Sequence, residues 1–96
     1  MKQEEIINEI RRELPRLKNE FGVNSIGLFG FFSKHKETDE SDLDILVDLQ
    51  PPYADHYFKL LFFLEKKFDK KVDLLRRGNH LSETFIQHIE KEIVYA

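Results

Sequence analysis

The chain has 96 residues, of which 41% are hydrophobic and 34% charged, a composition typical of one globular domain with a modest core. It contains no cysteine, which excludes disulfides and thiolate metal sites and fits a reducing cytoplasm. No apolar run approaches the roughly 20 residues of a membrane span, and the net charge of −3 argues against sequence-independent binding to nucleic acid. We therefore expect a single cytoplasmic domain over residues 1–96.

The N-terminal third of the chain predicts a helix followed by a strand. Apolar residues recur at three- and four-residue steps over Gln3–Phe21, which indicates an amphipathic helix that ends at Gly22. Pro15 lies within this pattern and predicts either a kink or the start of a second short helix. The next apolar segment, Val23–Phe29, predicts a short strand that ends at Gly30.

The rest of the chain alternates between strands and helices. Leu43–Leu49 is the strongest strand signal, and Tyr53–Phe68 predicts a second long helix. Val72–Leu75 predicts a third strand, and Ser82 is the expected N-cap of a last helix that reaches Ile93. This order predicts an α+β fold in which helices pack on a small mixed three-stranded sheet.

Acidic residues stand at alternate positions where the second strand begins. Because side chains alternate along a strand, Asp42 and Asp44 share one face and lie about 7 Å apart. A divalent cation relieves the repulsion of such a pair most simply, although the same pattern also occurs at solvated strand ends. Asp73 stands near the start of the third strand, and Asp48 is the alternative third acid. If the two strands are neighbours, three carboxylates converge, as two-metal phosphoryl transfer requires.

Three segments of the sequence, SIGLFG, SDLDILVD and KKVDLL, together resemble the minimal nucleotidyltransferases of the DNA polymerase beta superfamily. The family pattern is a strand ending in Gly-Ser, an Asp-x-Asp on the next strand and a third Asp on a later strand. Gly30, Asp42, Asp44 and Asp73 match it, and the resemblance covers nearly the whole chain. It implies a polymerase beta-like fold in which the three aspartates bind two Mg²⁺ ions with a nucleoside triphosphate. It also implies that Asp73 assists deprotonation of an acceptor hydroxyl.

The turn after Gly30 departs from the family pattern. Phe31 occupies the serine position, so a hydroxyl that would hold phosphate is lost while the backbone N–H remains. Lys34 keeps the basic character of the turn. Gly30, Phe31 and Lys34 are therefore the residues expected to contact the phosphates, with a site weakened by the missing hydroxyl and by the added ring.

The function implied by the resemblance is transfer of a nucleotide, AMP from ATP, to a hydroxyl acceptor. The expected acceptor is a partner protein, because such chains are often encoded beside a helical HEPN-domain protein in toxin–antitoxin pairs. The alternative is an antitoxin-like binding module that keeps the fold, is catalytically impaired by its altered turn, and caps a partner protein. A polymerase or nuclease fits the acidic chain least well.

The predicted helix Tyr53–Phe68 is apolar on nearly all sides. Helical geometry with Leu61 at the centre of a core stripe places Phe63 on the opposite side, flanked by Leu60 and Phe62. An exposed apolar side of this kind marks an interaction site, so Phe63 predicts a contact with a partner or a second copy of the chain. The alternative is an internal contact with the last helix.

Overall fold

The computed structural model describes residues 1–30 and 41–96, which form three helices and a four-stranded sheet. The helices are α1 (Gln3–Phe21), α2 (Tyr53–Phe68) and α3 (Glu83–Glu90), and the strands are β1 (Val23–Phe29), β2 (Leu43–Leu49), β3 (Val72–Arg76) and β4 (Val94–Tyr95). The predictions for Phe31 and Lys34 lie outside the described residues. None of the helices in the described ranges combines the length and apolar character needed to cross a bilayer.

The sheet is mixed, and its strand order is β3-β2-β1-β4. β1 runs antiparallel to both β2 and β4, whereas β2 and β3 are parallel. The α+β class is confirmed, but the sheet has one strand more than the sequence predicts. β4 has two residues, too few to show the alternation that identifies a strand. It is held by its pairing with Gly27 and Leu28 of β1.

α1 is a single helix that continues through Pro15, so the predicted option of a second helix starting there is wrong. Ile10 and Leu17 on either side of the proline are buried against the core, with exposed fractions of 1% and 0%. Such packing offsets the backbone hydrogen bond that a proline removes. Gly22 ends the helix as predicted, in the left-handed conformation with φ of 62°, and its N–H donates to the Leu17 carbonyl.

The two faces of the sheet are covered by different parts of the chain. One face packs against α1 and α2 and forms the main core, which includes Leu43, Ile45 and Val47 of β2. On the other face, Gly27 lies opposite Leu46 in the register of β1 and β2. The Ile93 side chain covers that position, since a Cβ on Gly27 would lie 2.6 Å from its Cδ1. The acids of β2 lie on this second face, because they alternate with the core residues.

α2 buries Leu60, Leu64 and Phe68, whereas the predicted core stripe is centred on Leu61. Phe63 is partly buried against Phe21 of α1, with 5.2 Å between ring centroids, and the Arg16 guanidinium lies 4.9 Å from the Phe63 centroid. The prediction that Phe63 forms an exposed partner surface is therefore wrong, and α1 rather than the last helix covers it. The cause is that α2 packs on both the sheet and α1. The most exposed rings of α2 are instead Phe58 and Phe62, at 57% and 72%.

We expect Phe63→Asp to lower the free energy of unfolding by about 2 kcal/mol or more, because it removes a ring contact and places a charge in the α1–α2 interface. The matched control is Phe62→Asp one position earlier, which changes an exposed side chain and should shift stability by about 0.5 kcal/mol or less. Urea unfolding of both variants measures the difference. Equal losses in the two variants would contradict the interface assigned to Phe63.

Candidate functional site

β1 ends in direct contact with one of the predicted site residues. Phe29 pairs with Asp44 in the register of β1 and β2, and Gly30 follows with a left-handed φ of 73°. A Cβ on Gly30 would overlap the carboxylate oxygen Oδ2 of Asp44 and would lie 2.9 Å from its Cγ. Glycine is therefore required at position 30 for two reasons, the backbone conformation and the close approach of Asp44.

The parallel register of β2 and β3 brings predicted site residues on the two strands together. Asp44 pairs with Asp73 across the two strands, and Asp73 is close enough to raise the pKa of Asp44, after the larger effect of burial. Asp42 lies one residue before β2 and is close enough for its charge to act on Asp44. Asp48, the alternative third acid, lines a different cavity together with Arg76. The acid cluster is therefore Asp42, Asp44 and Asp73.

Asp44 has the most strongly perturbed environment of the cluster. Burial is the largest of the causes that raise the pKa of Asp44 to about 6. The other causes are the charge of Asp73, the charge of Asp42, the hydrogen bond to Asp73 and the charge of Glu92. The raised pKa means that Asp44 binds a proton at a higher pH than an ordinary aspartate does. Glu92, which follows α3, is a fourth acid that the sequence pattern does not reveal.

The chemistry of the cluster fits a hard divalent cation. Its three aspartates offer only oxygen ligands, which Mg²⁺ prefers, and a cation would relieve the repulsion that raises the pKa of Asp44. No three Asp, Glu or His side chains within the described ranges are already arranged around a common metal position. To ligate a metal, Asp44 would have to be ionised, which its raised pKa of about 6 allows at neutral pH.

Two side chains of α2 hold the backbone of β3 on either side of Asp73. The Tyr57 hydroxyl donates to the Leu74 carbonyl at 2.7 Å, and the Val72 N–H donates to a carboxylate oxygen of Glu65 at 3.1 Å. Burial, followed by the charges of Asp73 and Glu65, raises the pKa of Tyr57. α2 thus fixes the strand that carries Asp73. Neither contact is apparent in the sequence, because both depend on where the helix lies against the sheet edge.

A cavity of about 400 Å³ opens over the acid cluster. Asp44 and Asp73 lie in its wall together with Phe29 and Tyr57. Its size is within the range of small-molecule sites. A ligand in this cavity would contact the carboxylates of Asp44 and Asp73 and the rings of Phe29 and Tyr57. Gly30 lies toward the β1 side of the cavity, and the outer edge of β3 lies on the opposite side.

Known proteins resemble the chain in sequence over nearly its whole length. The family described as Polymerase beta, Nucleotidyltransferase matches residues 8–96. A candidate protein adenylyltransferase of Methanocaldococcus jannaschii is 34% identical over 94 residues, which span 95% of this chain and 94% of that one. The protein adenylyltransferase MntA of Thermococcus cleftensis is 31% identical over 93 residues, which span 96% and 93% of the two chains.

Solved structures share the fold at lower identity. A candidate minimal nucleotidyltransferase superposes with a TM-score of 0.80 at 21% identity, covering 98% of this chain and 95% of that one. A toxin–antitoxin structure with AMP-PNP has a TM-score of 0.69 at 22% identity, covering 88% and 69%. A complex of a tri-AMPylated Shewanella oneidensis HEPN toxin with an MNT antitoxin has a TM-score of 0.67 at 22% identity, covering 97% and 70%.

The chain belongs to the polymerase beta-like nucleotidyltransferases, and its homologues include MntA-type protein adenylyltransferases.

Proposed function

We propose that residues 1–96 act as one minimal nucleotidyltransferase domain that transfers AMP from ATP to a hydroxyl group of a partner protein, with Mg²⁺ as cofactor. The observation that carries this proposal is the pairing of Asp44 with Asp73 beside the left-handed Gly30, in a cavity of fitting size. The adenylyltransferase relatives support the choice of ATP and of a protein acceptor.

We assign the residues the following roles. Asp42, Asp44 and Asp73 would hold two Mg²⁺ ions, which when bound neutralise charge on the triphosphate and make the acceptor hydroxyl easier to deprotonate. The expected phosphate contacts are Gly30, Phe31 and Lys34. Asp73, on the strand farther from Gly30, is suited to take the proton of the acceptor hydroxyl. The hydroxyl oxygen then bonds to the α-phosphorus of ATP, and pyrophosphate leaves with the electron pair of the broken P–O bond.

The proposed partner is a helical HEPN-type protein. This is supported by the structural relative that is an MNT antitoxin in complex with a tri-AMPylated HEPN toxin. A second copy of the chain is the alternative partner. The alternative function is a binding module that caps its partner without transfer, and the observation that favours it is Phe31 at the position of the family serine.

The test is AMP transfer from α-labelled ATP with Mg²⁺, using the full chain together with the protein encoded by the neighbouring gene. We expect label on the partner, and a loss of at least about a hundredfold in the double variant Asp44→Asn/Asp73→Asn, since metal-held charge stabilisation contributes several kcal/mol. Asp69→Asn is the matched control, because Asp69 is an exposed acid outside the cluster in a left-handed conformation that asparagine tolerates.

The same assay separates the two proposed functions. A partner that binds tightly but is labelled only by Phe31→Ser would favour the binding module, since serine restores the hydroxyl and removes the ring. Label that persists in Asp44→Asn/Asp73→Asn would remove the acid cluster from the mechanism.

A further inference from the structure

A groove continues from the acid cluster along the outer edge of β3. The cavity over Asp44 and Asp73 adjoins a second cavity of about 420 Å³, since Tyr57, Leu74 and Leu75 line both. The second adjoins a third cavity of about 360 Å³ through two shared residues, Arg76 and His80. We call this series of three cavities the β3 groove. It begins at the acid cluster and leads away from Gly30, which lies at the end of β1 on the other side of β2.

The far end of the β3 groove contains the Arg76 side chain, and Asp48 lines the same cavity. The Arg76 guanidinium carbon lies 4.2 Å from the Tyr53 ring centroid, and its Nη1 donates to the Arg77 carbonyl at 3.3 Å. A Cβ on Gly78 would lie 3.0 Å from both this Nη1 and His80 Nδ1, so the two side chains flank the same glycine. Arg76 and His80 are therefore neighbours at the end of the groove.

Arg76 differs from its neighbour Arg77 in having no acidic partner. The Arg77 Nη2 forms a 2.7 Å ion pair with Glu90, whereas no acid within the described ranges forms an ion pair with Arg76. Asp48 lines the same cavity as Arg76 but is not within ion-pair distance of it. Stacking on Tyr53 restricts the guanidinium plane, which reduces the freedom lost when it binds a planar anion.

We propose that the β3 groove binds the acceptor segment of the partner protein, and that Arg76 recognises a carboxylate of that segment about three residues from the modified hydroxyl. The proposal rests on the proposed function and names the sequence context that the site selects. Asp73 and Arg76 are three residues apart on one strand, or about 10 Å. The side chains of Asp73 and Arg76 leave opposite faces of β3. An extended segment along the strand edge alternates in the same way, so its hydroxyl residue at Asp73 and its acid three residues on at Arg76 span the same distance.

The structure also indicates which groups of the groove would recognise the segment. The outward N–H of Val72 and the carbonyl of Leu74 are already bonded to Glu65 and Tyr57, so the segment does not add to the sheet through these groups. Recognition instead depends on side chains, with a charge-assisted contact of carboxylate to guanidinium at one end. Nucleic acid, a polyanion, fits the groove poorly, because the end of the groove at Asp44 and Asp73 is acidic.

Binding of the segment is tested without ATP, so that no transfer occurs. The probes are two fluorescein-labelled ten-residue peptides, each with one tyrosine, which differ only in glutamate or glutamine three residues from it. We expect the intact chain to bind the glutamate peptide at least about tenfold more tightly, the smaller of the factors usual for a hydrogen bond to a charged group. Arg76→Gln should abolish the difference, and Arg76→Lys should keep part of it, since lysine has the charge without the planar fork.

The control is Lys18→Gln, which removes an exposed cation of α1 outside the groove and should leave the preference intact. Circular dichroism and melting temperature establish that each variant is folded. A glutamate preference that survives Arg76→Gln, or affinities equal for the two peptides up to millimolar concentration, would overturn the proposal. Tight binding of a 20-nucleotide single-stranded DNA that depends on Arg76 would overturn it in favour of a nucleic-acid site.

Transfer to the same peptides distinguishes failure of this proposal from failure of the proposed function. With ATP and Mg²⁺, we expect kcat/KM for the glutamate peptide to fall at least about tenfold in Arg76→Gln. Binding that depends on Arg76 without any transfer to peptide or partner would refute the adenylyltransferase and leave the groove as a binding site. Equal labelling of the partner by the intact chain and by Arg76→Gln would refute the role of Arg76 and leave the enzyme.

Discussion

Asp44→Asn is expected to stabilise the metal-free protein at pH 7 while it abolishes the thermal response to Mg²⁺. The folded protein raises the pKa of Asp44 from an ordinary value of about 3.9 to about 6. The folded state therefore binds this proton more tightly than the unfolded state does. The stabilisation of the folded state by this bound proton is fully present below about pH 4 and is lost as the pH rises through about 6.

Asparagine keeps the shape of the side chain and removes the charge. The full pKa difference corresponds to about 3 kcal/mol, which solvent screening of this partly exposed carboxyl reduces to about 1 kcal/mol. At pH 7 the variant should gain about this much stability over the parent, and at pH 4 the two should be nearly equal. Urea unfolding at both pH values measures the gain.

In the presence of Mg²⁺, the parent should become more stable than Asp44→Asn. Asp44 must lose its proton to ligate a metal, so the rise in melting temperature of the parent should be small at pH 5 and should grow as the pH passes about 6. Asp44→Asn should show no such rise, whereas Asp69→Asn should behave like the parent. A Mg²⁺ response of equal size at pH 5 and pH 7.5 would show that Asp44 does not contribute to the metal site.

Gly30→Ala is expected to destabilise the fold and to disturb the geometry of the acid cluster, although it replaces none of the acids. A non-glycine residue at φ of 73° is strained, and the added Cβ would displace the Asp44 carboxylate from its position in the acid cluster. We expect a loss of about 1–3 kcal/mol in the free energy of unfolding, together with a loss of the Mg²⁺ response. Both are measured by urea unfolding and by melting with and without Mg²⁺.

Gly78→Ala is the matched control for this substitution. A Cβ at Gly78 would lie 3.0 Å from the flexible ends of Arg76 and His80, which can move aside. Its effect should therefore be smaller, and the response to Mg²⁺ should remain. If Gly30→Ala and Gly78→Ala behave alike, the contact between Gly30 and Asp44 has no special role in the site.

The sequence predicts the longer elements well, because each contains enough residues to show a period. α2 and β2 have the predicted bounds, and β3 differs only in extending to Arg76. β4 is missed because two residues have no period. Phe63 is assigned to the wrong environment for another reason: a helix that contacts a sheet and a second helix has two buried sides, and periodicity does not identify which neighbour covers each side.

Asp44 and Asp73 are predictable as candidates because each stands in an otherwise apolar strand, where a carboxylate is unexpected, whereas Asp42 lies one residue before β2. Their relation is not predictable from spacing alone, since it requires the parallel register that pairs Asp44 with Asp73. The contacts of Tyr57 and Glu65 with β3 have no sequence signal, because tyrosine and glutamate are ordinary residues on a helix surface. The stacking of Arg76 on Tyr53 likewise joins residues far apart in the chain.

The short connection between α2 and β3 has a consequence for how relatives of this protein can diverge. Asp69 leaves α2 in a left-handed conformation, and the Lys71 carbonyl accepts from Leu43 N–H at 3.0 Å, so few residues set the start of β3. One inserted or deleted residue here would turn the whole strand over, carrying Asp73 into the apolar core and Leu74 to the surface. We expect natural length variation to be absent from residues 69–71, so that homologues differ along β3 by substitution alone.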